Sequence, residues 1–163
     1  HLKRLKDPED TLKPFFERVN LFKDKLGPVL YQLPPNFKKN AERLDAFLAA
    51  VPEDTISVFE FRNDSWYDDE TYDVLKKHNA VFCVHDNSAA PSPRIVTADK
   101  IYIRLHSSVR GKTASYTNKE MQQWADWIKD NKDKASTIYV YFNNDVEGYA
   151  IKNAKTLMDM LGS

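Results

Sequence analysis

The chain has 163 residues, of which 42% are hydrophobic and 12% aromatic, enough for the core of one domain spanning residues 1–163. Lys+Arg and Asp+Glu are equal at 24 each, so the formal net charge of zero gives no electrostatic footprint for nucleic acid or an anionic membrane. The apolar stretches are strand-sized and no signal-peptide pattern precedes them, so we expect a soluble, cytoplasmic protein. The single cysteine, Cys83, lies in an apolar run and is expected to be a buried thiol.

The first half of the chain alternates helical and strand-like patterns. Apolar residues at helical spacing predict a first helix that has Pro14 in its first turn and stops at Gly27. The next elements are predicted as a strand at 29–33, a helix at 40–51, a strand at 56–61, a weaker helix at 69–78 and a strand at 80–84.

The second half continues this alternation after an irregular link. Residues 87–98 contain Pro91 and Pro93 and show no helical period, so this crossover is predicted as a loop or single turn. A strand at 101–105 precedes a helix that starts at a capping box made by Thr117 and Glu120. A strand at 138–142 and a final helix at 146–161, capped by Asp145, complete the pattern. Strand–helix alternation predicts an α/β fold with a parallel sheet, of the kind found in α/β sheets and barrels.

Polar residues recur where the predicted strands end. Ligands of parallel α/β sheets and barrels bind beyond the carboxyl ends of the strands, so these endings predict one shared site. Because successive strand residues face opposite sides, the more polar set should face away from the covering helices. That set is Glu60, Arg62, Arg104, His106 and Asn143.

The convergent set predicts both an ion pair and a site. A buried charge is costly unless it is paired, so we expect Glu60 to contact Arg62 or Arg104. An arginine beside His106 should disfavour the imidazolium and leave a neutral ring that can exchange a proton. Glu60, His106 and Asp86 are the catalytic candidates, with Asp86 orienting one of the other two. A purely structural ion pair remains an equal alternative for Glu60 and Arg104.

Further residues are candidates for contacts with a ligand. Trp66 follows the end of a strand and is the best aromatic platform, although packing is the commoner role of tryptophan. The amino end of the last helix could seat an anion. The remaining candidates are Gln32, Tyr141, Asn143, Asn144 and Asp145. His85 has the opposite parity to Asp86 and is expected to face helices or solvent.

Other chemistries have little support in the sequence. The chain has no nucleophile elbow, Walker sequence, dinucleotide glycine fingerprint or zincin motif, so no cofactor is expected. Glu60, Asp86 and His106 have the right chemistry for metal ligands, but the neighbouring arginines argue against a divalent cation.

These motifs resemble those of the YecE-like family, also known as domain of unknown function 72, whose members are TIM-barrel proteins. The resemblance covers nearly the whole chain through segments in the same order: 26–28 to 32–35, 60–62 with 65–66, Asp86, 97–99, 102–106, Tyr116, and 141–145 with Gly148, Tyr149, Ala150, Asn153 and Ala154. Two positions depart from the family pattern, Asn63 in place of histidine and Ser107 in place of glycine.

The resemblance implies that this chain carries strands four to eight of the barrel. Five strands cannot close an eight-stranded barrel, so we expect an amino-terminal segment or another chain to complete the sheet. The absent strands could carry further catalytic residues.

The leading functional hypothesis is a barrel enzyme, or a binder derived from one, that acts on a small polar, anionic or sugar-like molecule. In this hypothesis Arg62 and Arg104 bind the anion or stabilise developing charge, and Asn143 and Asn144 donate hydrogen bonds. The competing class is a noncatalytic binding or regulatory module for protein or nucleic acid, although the neutral charge disfavours nucleic acid. A third alternative is that the charged residues only stabilise the lumen. Whether the protein is an enzyme is left open by the sequence.

Overall fold

The computed structural model describes residues 5–86, 91–106 and 115–162. All five predicted strands are confirmed there: β1 (Val29–Leu33), β2 (Ser57–Phe61), β3 (Val81–His85), β4 (Lys100–Leu105) and β5 (Thr137–Phe142). Five α-helices accompany them: α1 (Pro8–Val19), α2 (Ala41–Ala49), α3 (Asp69–Lys77), α4 (Asn118–Asn131) and α5 (Tyr149–Leu161).

The strands form one parallel sheet in the order β1-β2-β3-β4-β5. Each strand therefore lies beside its neighbour in sequence, which is the winding of a (β/α) barrel rather than of a doubly wound sheet. The register places Glu60 beside Gln32 and places Arg104 between His85 and Tyr141. As predicted, all carboxyl ends point to one edge of the sheet.

The two faces of the sheet differ in what covers them. On the helix side, Phe59, Phe61, Phe82, Ile103 and Leu105 belong to a large apolar core shared with residues of the helices. On the inner face, the smaller cluster contains Val58, Val81, Cys83 and Tyr102. Cys83 is a free, buried thiol, as predicted, and burial raises its pKa. Glu60 and Arg104 have the parity of this inner cluster.

The link between β3 and β4 is irregular over its described part, residues 91–98, as the prolines predict; residues 87–90 of this prediction lie outside the described ranges. Thr97 holds the link against the sheet edge. Its hydroxyl donates to the Ala80 carbonyl at 2.7 Å and accepts from the Phe82 N–H at 2.9 Å. Ser92 makes a similar pair of contacts with the backbone of His85.

Two helix starts differ from the predictions. The first helix begins at Pro8, so Pro14 lies inside it, and Phe15 and Phe22 are exposed. The last helix begins at Tyr149. A short turn at Val146–Gly148 precedes it, and the left-handed backbone of Gly148, at φ 71°, separates this turn from the helix. No helix in the described ranges combines the length and apolar character that crossing a bilayer requires.

Candidate functional site

The candidate site is built from the carboxyl ends of β2, β3 and β4. Arg62, Asp86 and His106 are the first residues after these strands, and Glu60 and Arg104 are the last inner-face residues within β2 and β4. The register brings the three strand ends together at one edge of the sheet. Strand alternation places Glu60, Arg62, Arg104 and His106 on the inner face, as the sequence predicts, whereas Asp86, counted along β3, has the opposite parity.

Glu60 is completely buried and forms ion pairs with two arginines. One carboxylate oxygen, Oε1, contacts Nη2 of Arg62, and the other, Oε2, lies 2.5 Å from Nη1 of Arg104. The expected pairing is thus confirmed, with both arginines rather than one. Oε2 of the carboxylate accepts a charge-assisted hydrogen bond from Arg104, whereas Oε1 is ion-paired with Arg62 without hydrogen-bond geometry, so both arginines hold the carboxylate in place.

The arginine pair carries more charge than Glu60 neutralises. Counting the Glu60 carboxylate against the two guanidinium groups that it contacts leaves one positive charge on this trio, whose arginine side chains are only 14% and 17% exposed. The second carboxylate of the site, Asp86, is bonded to the His106 N–H and the Tyr116 hydroxyl. Arg104 also approaches the amide oxygen of Gln32, at 3.5 Å from Nη1. Guanidinium groups have five N–H donors each, so these contacts leave donors for a further acceptor.

His106 completes the cluster through its Nε2 atom, which lies 3.2 Å from Nη2 of Arg62 and 3.9 Å from Oε1 of Glu60. A guanidinium only donates, so Nε2 accepts and the ring proton is on Nδ1. Burial, together with the charges of Arg104 and Arg62, lowers the pKa of His106 to about 4. The ring is therefore neutral near pH 7, as predicted, but its Nε2 lone pair is already in use.

Asp86 orients the backbone of His106 rather than its ring. Its Oδ1 accepts from the His106 N–H at 2.8 Å, and its Oδ2 accepts from the Tyr116 hydroxyl at 2.5 Å. These bonds join the end of β3 to the end of β4 and to the segment before α4. Asp86 therefore fixes the backbone of His106, and with it the position of the His106 ring beside Arg62.

His85 differs from its predicted orientation. It shares the inner face with Cys83 and lies beside Arg104 in register, with its ring centre 6.3 Å from that of His106. Its Nε2 lies 3.0 Å from the Phe61 carbonyl, to which it donates, and burial lowers its pKa. Cys83 and His85 are two residues apart in β3, so alternation from Cys83 places both side chains on the same face. The prediction used Asp86 as its reference instead, and it was wrong because Asp86 follows the strand, where alternation no longer applies.

Trp66 is not the ligand platform proposed from the sequence. It is completely buried, stacks on Phe61 with ring centres 4.8 Å apart, and donates from its indole nitrogen to the Phe37 carbonyl at 2.8 Å. The short helical turn Asp64–Trp66 directs the side chain back into the core. Packing, the alternative weighed beside the platform, is its role in this structure.

The candidates that follow β5 have different surroundings. Asn144 is buried, and its amide donates to Oδ1 of Asn153 at 2.9 Å, so it joins the strand end to α5. Asp145 makes no side-chain cap. Asn143 is exposed, with its N–H bonded to the Leu105 carbonyl at 2.7 Å. Across the described ranges, no contact joins the Asn143 side chain to Glu60, so its convergence stays a prediction, as does an anion seat at the start of α5.

The contacts decide which chemistry the cluster favours. Oε2 of Glu60 and Nε2 of His106 accept hydrogen bonds from arginines, and Oε1 of Glu60 is ion-paired with Arg62, which makes these groups poorly placed to exchange protons with a substrate. The arginines, in contrast, are pre-oriented and positively charged. No group of three or more His, Cys, Asp or Glu side chains that could hold a metal ion is found in the part of the chain that the structure describes.

A parallel sheet wound in sequence order, with a polar cluster at its carboxyl edge, defines a TIM-barrel type of α/β protein. Within this class, residues 1–163 match the family described as "Protein of unknown function DUF72", and the chain belongs to that family.

Solved structures of this family share the fold. A DUF72 family protein from Thermotoga maritima superposes with a TM-score of 0.84 at 27% identity, covering 97% of this chain and 67% of its own. A DUF72 family protein from Enterococcus faecalis gives the same TM-score and coverages at 20% identity. The UPF0759 protein YunF of Bacillus subtilis is 25% identical over 86% of this chain, which spans 60% of the length of YunF. The partial sheet agrees with these coverages.

Proposed function

We propose that this protein binds a small anionic molecule, with a carboxylate or phosphate group held by Arg62 and Arg104. The observation that carries the proposal is the buried carboxylate of Glu60 placed between two guanidinium groups, which leaves one of the two positive charges that contact it unneutralised by Glu60. An anion at this point would receive charge-assisted hydrogen bonds from donors that are already oriented.

The unused donors support the same proposal. Nε of Arg62 is buried and has no hydrogen-bond partner within the described ranges. A buried donor without an acceptor is costly, and an anion in contact with the guanidinium would supply one. The position at the carboxyl edge of a parallel sheet is also where ligands of such folds bind.

Binding is favoured over catalysis by Glu60 and His106. Nε2 of His106 accepts from Arg62, and the pKa of the ring is lowered to about 4, so the ring is a weak base. If a reaction occurs here, the arginines would stabilise its developing negative charge and the proton would be transferred by another group.

The test compares an arginine in the cluster with one outside it. Thermal unfolding is followed with increasing inorganic phosphate, with chloride keeping the ionic strength constant. The melting temperature of the wild-type protein should rise with phosphate because the ligand binds only the folded state. R104A should weaken phosphate binding about 10- to 100-fold, the loss expected for a charged hydrogen bond.

R18A is the matched control because Arg18 is an exposed arginine in α1. It should retain the wild-type response to phosphate. R104K keeps the charge but loses the forked geometry, and should give an intermediate response. Equal responses of wild-type protein, R104A and R18A would show that phosphate acts elsewhere and would overturn the proposal.

A further inference from the structure

A row of tyrosines lies next to the arginine cluster on the inner face of the sheet. Tyr102 and Tyr139 face each other across β4 and β5, and Tyr141 follows one inner position further toward the carboxyl edge. The register pairs Tyr141 with Arg104. Neighbouring strands lie about 4.8 Å apart, so the Tyr141 ring and the Arg104 side chain leave the sheet side by side.

Tyr141 is held on one side and open on the other. Its ring stacks on Tyr102 with ring centres 4.9 Å apart and an angle of 28° between the planes. In the open sheet of the described residues Tyr141 is 43% exposed and Tyr102 7% exposed, and Tyr141 lies near the carboxyl edge, where the ligands of barrels bind. A large aromatic ring that is fixed by one neighbour and open to solvent can accept a second ring without losing side-chain freedom.

We propose that the anionic ligand carries a flat, unsaturated ring, which stacks on Tyr141 while its acidic group contacts Arg104. This inference depends on the proposed anion site and specifies its ligand class: aromatic carboxylates and aryl or nucleoside phosphates. The geometry supports this ligand class because Arg104 and Tyr141 are neighbours in register. A molecule with an acidic group on a ring can therefore contact the guanidinium and the tyrosine ring at the same time.

The arrangement favours a flat ring over a saturated one. Tyr102 and Tyr141 already form a near-parallel stack, and a third ring would continue it in the offset geometry that aromatic pairs prefer. A saturated ring of equal charge would bury similar area but would lack the attraction between aromatic rings. The two ring types can therefore be distinguished with ligands that differ in little else.

The experiment measures the binding of benzoate and of cyclohexanecarboxylate to the wild-type chain, Y141A and Y141F, by ligand-observed NMR. Both probes have one carboxylate on a six-membered ring. The wild-type chain should bind benzoate about 2- to 10-fold more tightly, which corresponds to the usual strength of an aromatic pair. The benzoate protons should also shift upfield because they lie over a ring.

The variants assign the preference to Tyr141. Y141F retains the ring and should keep both the preference and the upfield shift, whereas Y141A should bind the two probes equally. Equal binding of both probes by the wild-type chain, abolished by R104A, would overturn this inference and leave the anion site intact. Failure of both probes to bind would contradict the anion site itself.

Discussion

Glu60 illustrates how one residue sets the properties of its neighbours. It is completely buried, and its two oxygens hold the guanidinium groups of Arg62 and Arg104. Its loss would leave two like charges close together without the acceptor that separates them. Removing one partner from a buried ion pair is far more damaging than replacing the whole pair with apolar groups.

We therefore expect E60Q to lower the free energy of unfolding by about 3–5 kcal/mol, measured by urea denaturation. E147Q is the matched control, since Glu147 is exposed and bonded only to the Tyr149 hydroxyl among the described residues, and it should change stability by less than about 0.5 kcal/mol. Added phosphate should stabilise E60Q at least as strongly as the wild-type chain, because the cluster has gained positive charge. A loss below about 1 kcal/mol would contradict the assigned role of Glu60.

The lowered pKa of His106 predicts that the free energy of unfolding depends on pH. Its pKa is about 4 in the folded protein and has the ordinary value of about 6.5 after unfolding, so between these values the unfolded chain binds more protons. Stability from this group is complete above pH 6.5 and declines as the pH falls toward 4. The loss is on the order of 2–3 kcal/mol.

Replacing His106 with glutamine should remove this contribution. The unfolding free energies of the wild-type chain and H106Q, measured by urea denaturation from pH 7.5 to pH 4, should therefore converge as the pH falls. A constant difference across the range would show that His106 does not titrate as described. The carboxylates shared by both proteins cancel in this comparison.

Strand alternation and the cost of burying a charge were sufficient to predict a contact of Glu60 with one of the arginines, and the proximity of an arginine predicted the neutral state of His106; the structure shows Glu60 in contact with both. It failed for Trp66, because the direction of that side chain depends on a short turn after β2 and on an acceptor from another segment, the Phe37 carbonyl. Such long-range partners leave no local pattern in the sequence.

At the scale of the elements, Asn153 connects three parts of the chain. Its Oδ1 accepts from the Tyr116 N–H at 3.2 Å and from the Asn144 amide at 2.9 Å, and its Nδ2 lies 3.0 Å from the Ser115 hydroxyl. It thereby ties α5 to the end of β5 and to the segment that precedes α4. The sequence indicated Asn153 only through the family resemblance.

N153A should lower the free energy of unfolding by about 1–3 kcal/mol, the cost of leaving buried polar groups without partners. T156A is the matched control on the same helix, because Thr156 is only partly buried and bonds only to the Lys152 carbonyl within the described ranges. Chemical denaturation of both variants measures the difference. Equal stabilities would show that the network does not hold the elements together.

Element boundaries could be predicted where a local capping signal exists. The Thr117–Glu120 capping box is present as predicted, and α4 begins at Asn118. The start of α5 was misplaced because the stop comes from the left-handed backbone of Gly148, which the helical pattern does not reveal. The apolar residues Ile151 and Met158 of this helix are exposed.

At the scale of the whole molecule, strand–helix alternation predicted the parallel sheet, and the family resemblance implied the strand order of a barrel, which the structure shows. The sheet of the described residues is open, with β1 and β5 at its outer edges. The chain covers 67% of the related Thermotoga structure, which accords with the expectation that further strands complete the barrel. The outer edges are the places where such strands would pair.

The claim that the fold assembles an anion site at its carboxyl edge is tested most directly on the arginine side chains. The Nε–H resonances of the ¹⁵N-labelled chain should be followed by NMR during titration with inorganic phosphate at constant ionic strength. We expect saturable shifts for Arg62 and Arg104, because the anion contacts them, and none for Arg18. Small, non-saturating shifts shared by all three arginines would contradict it.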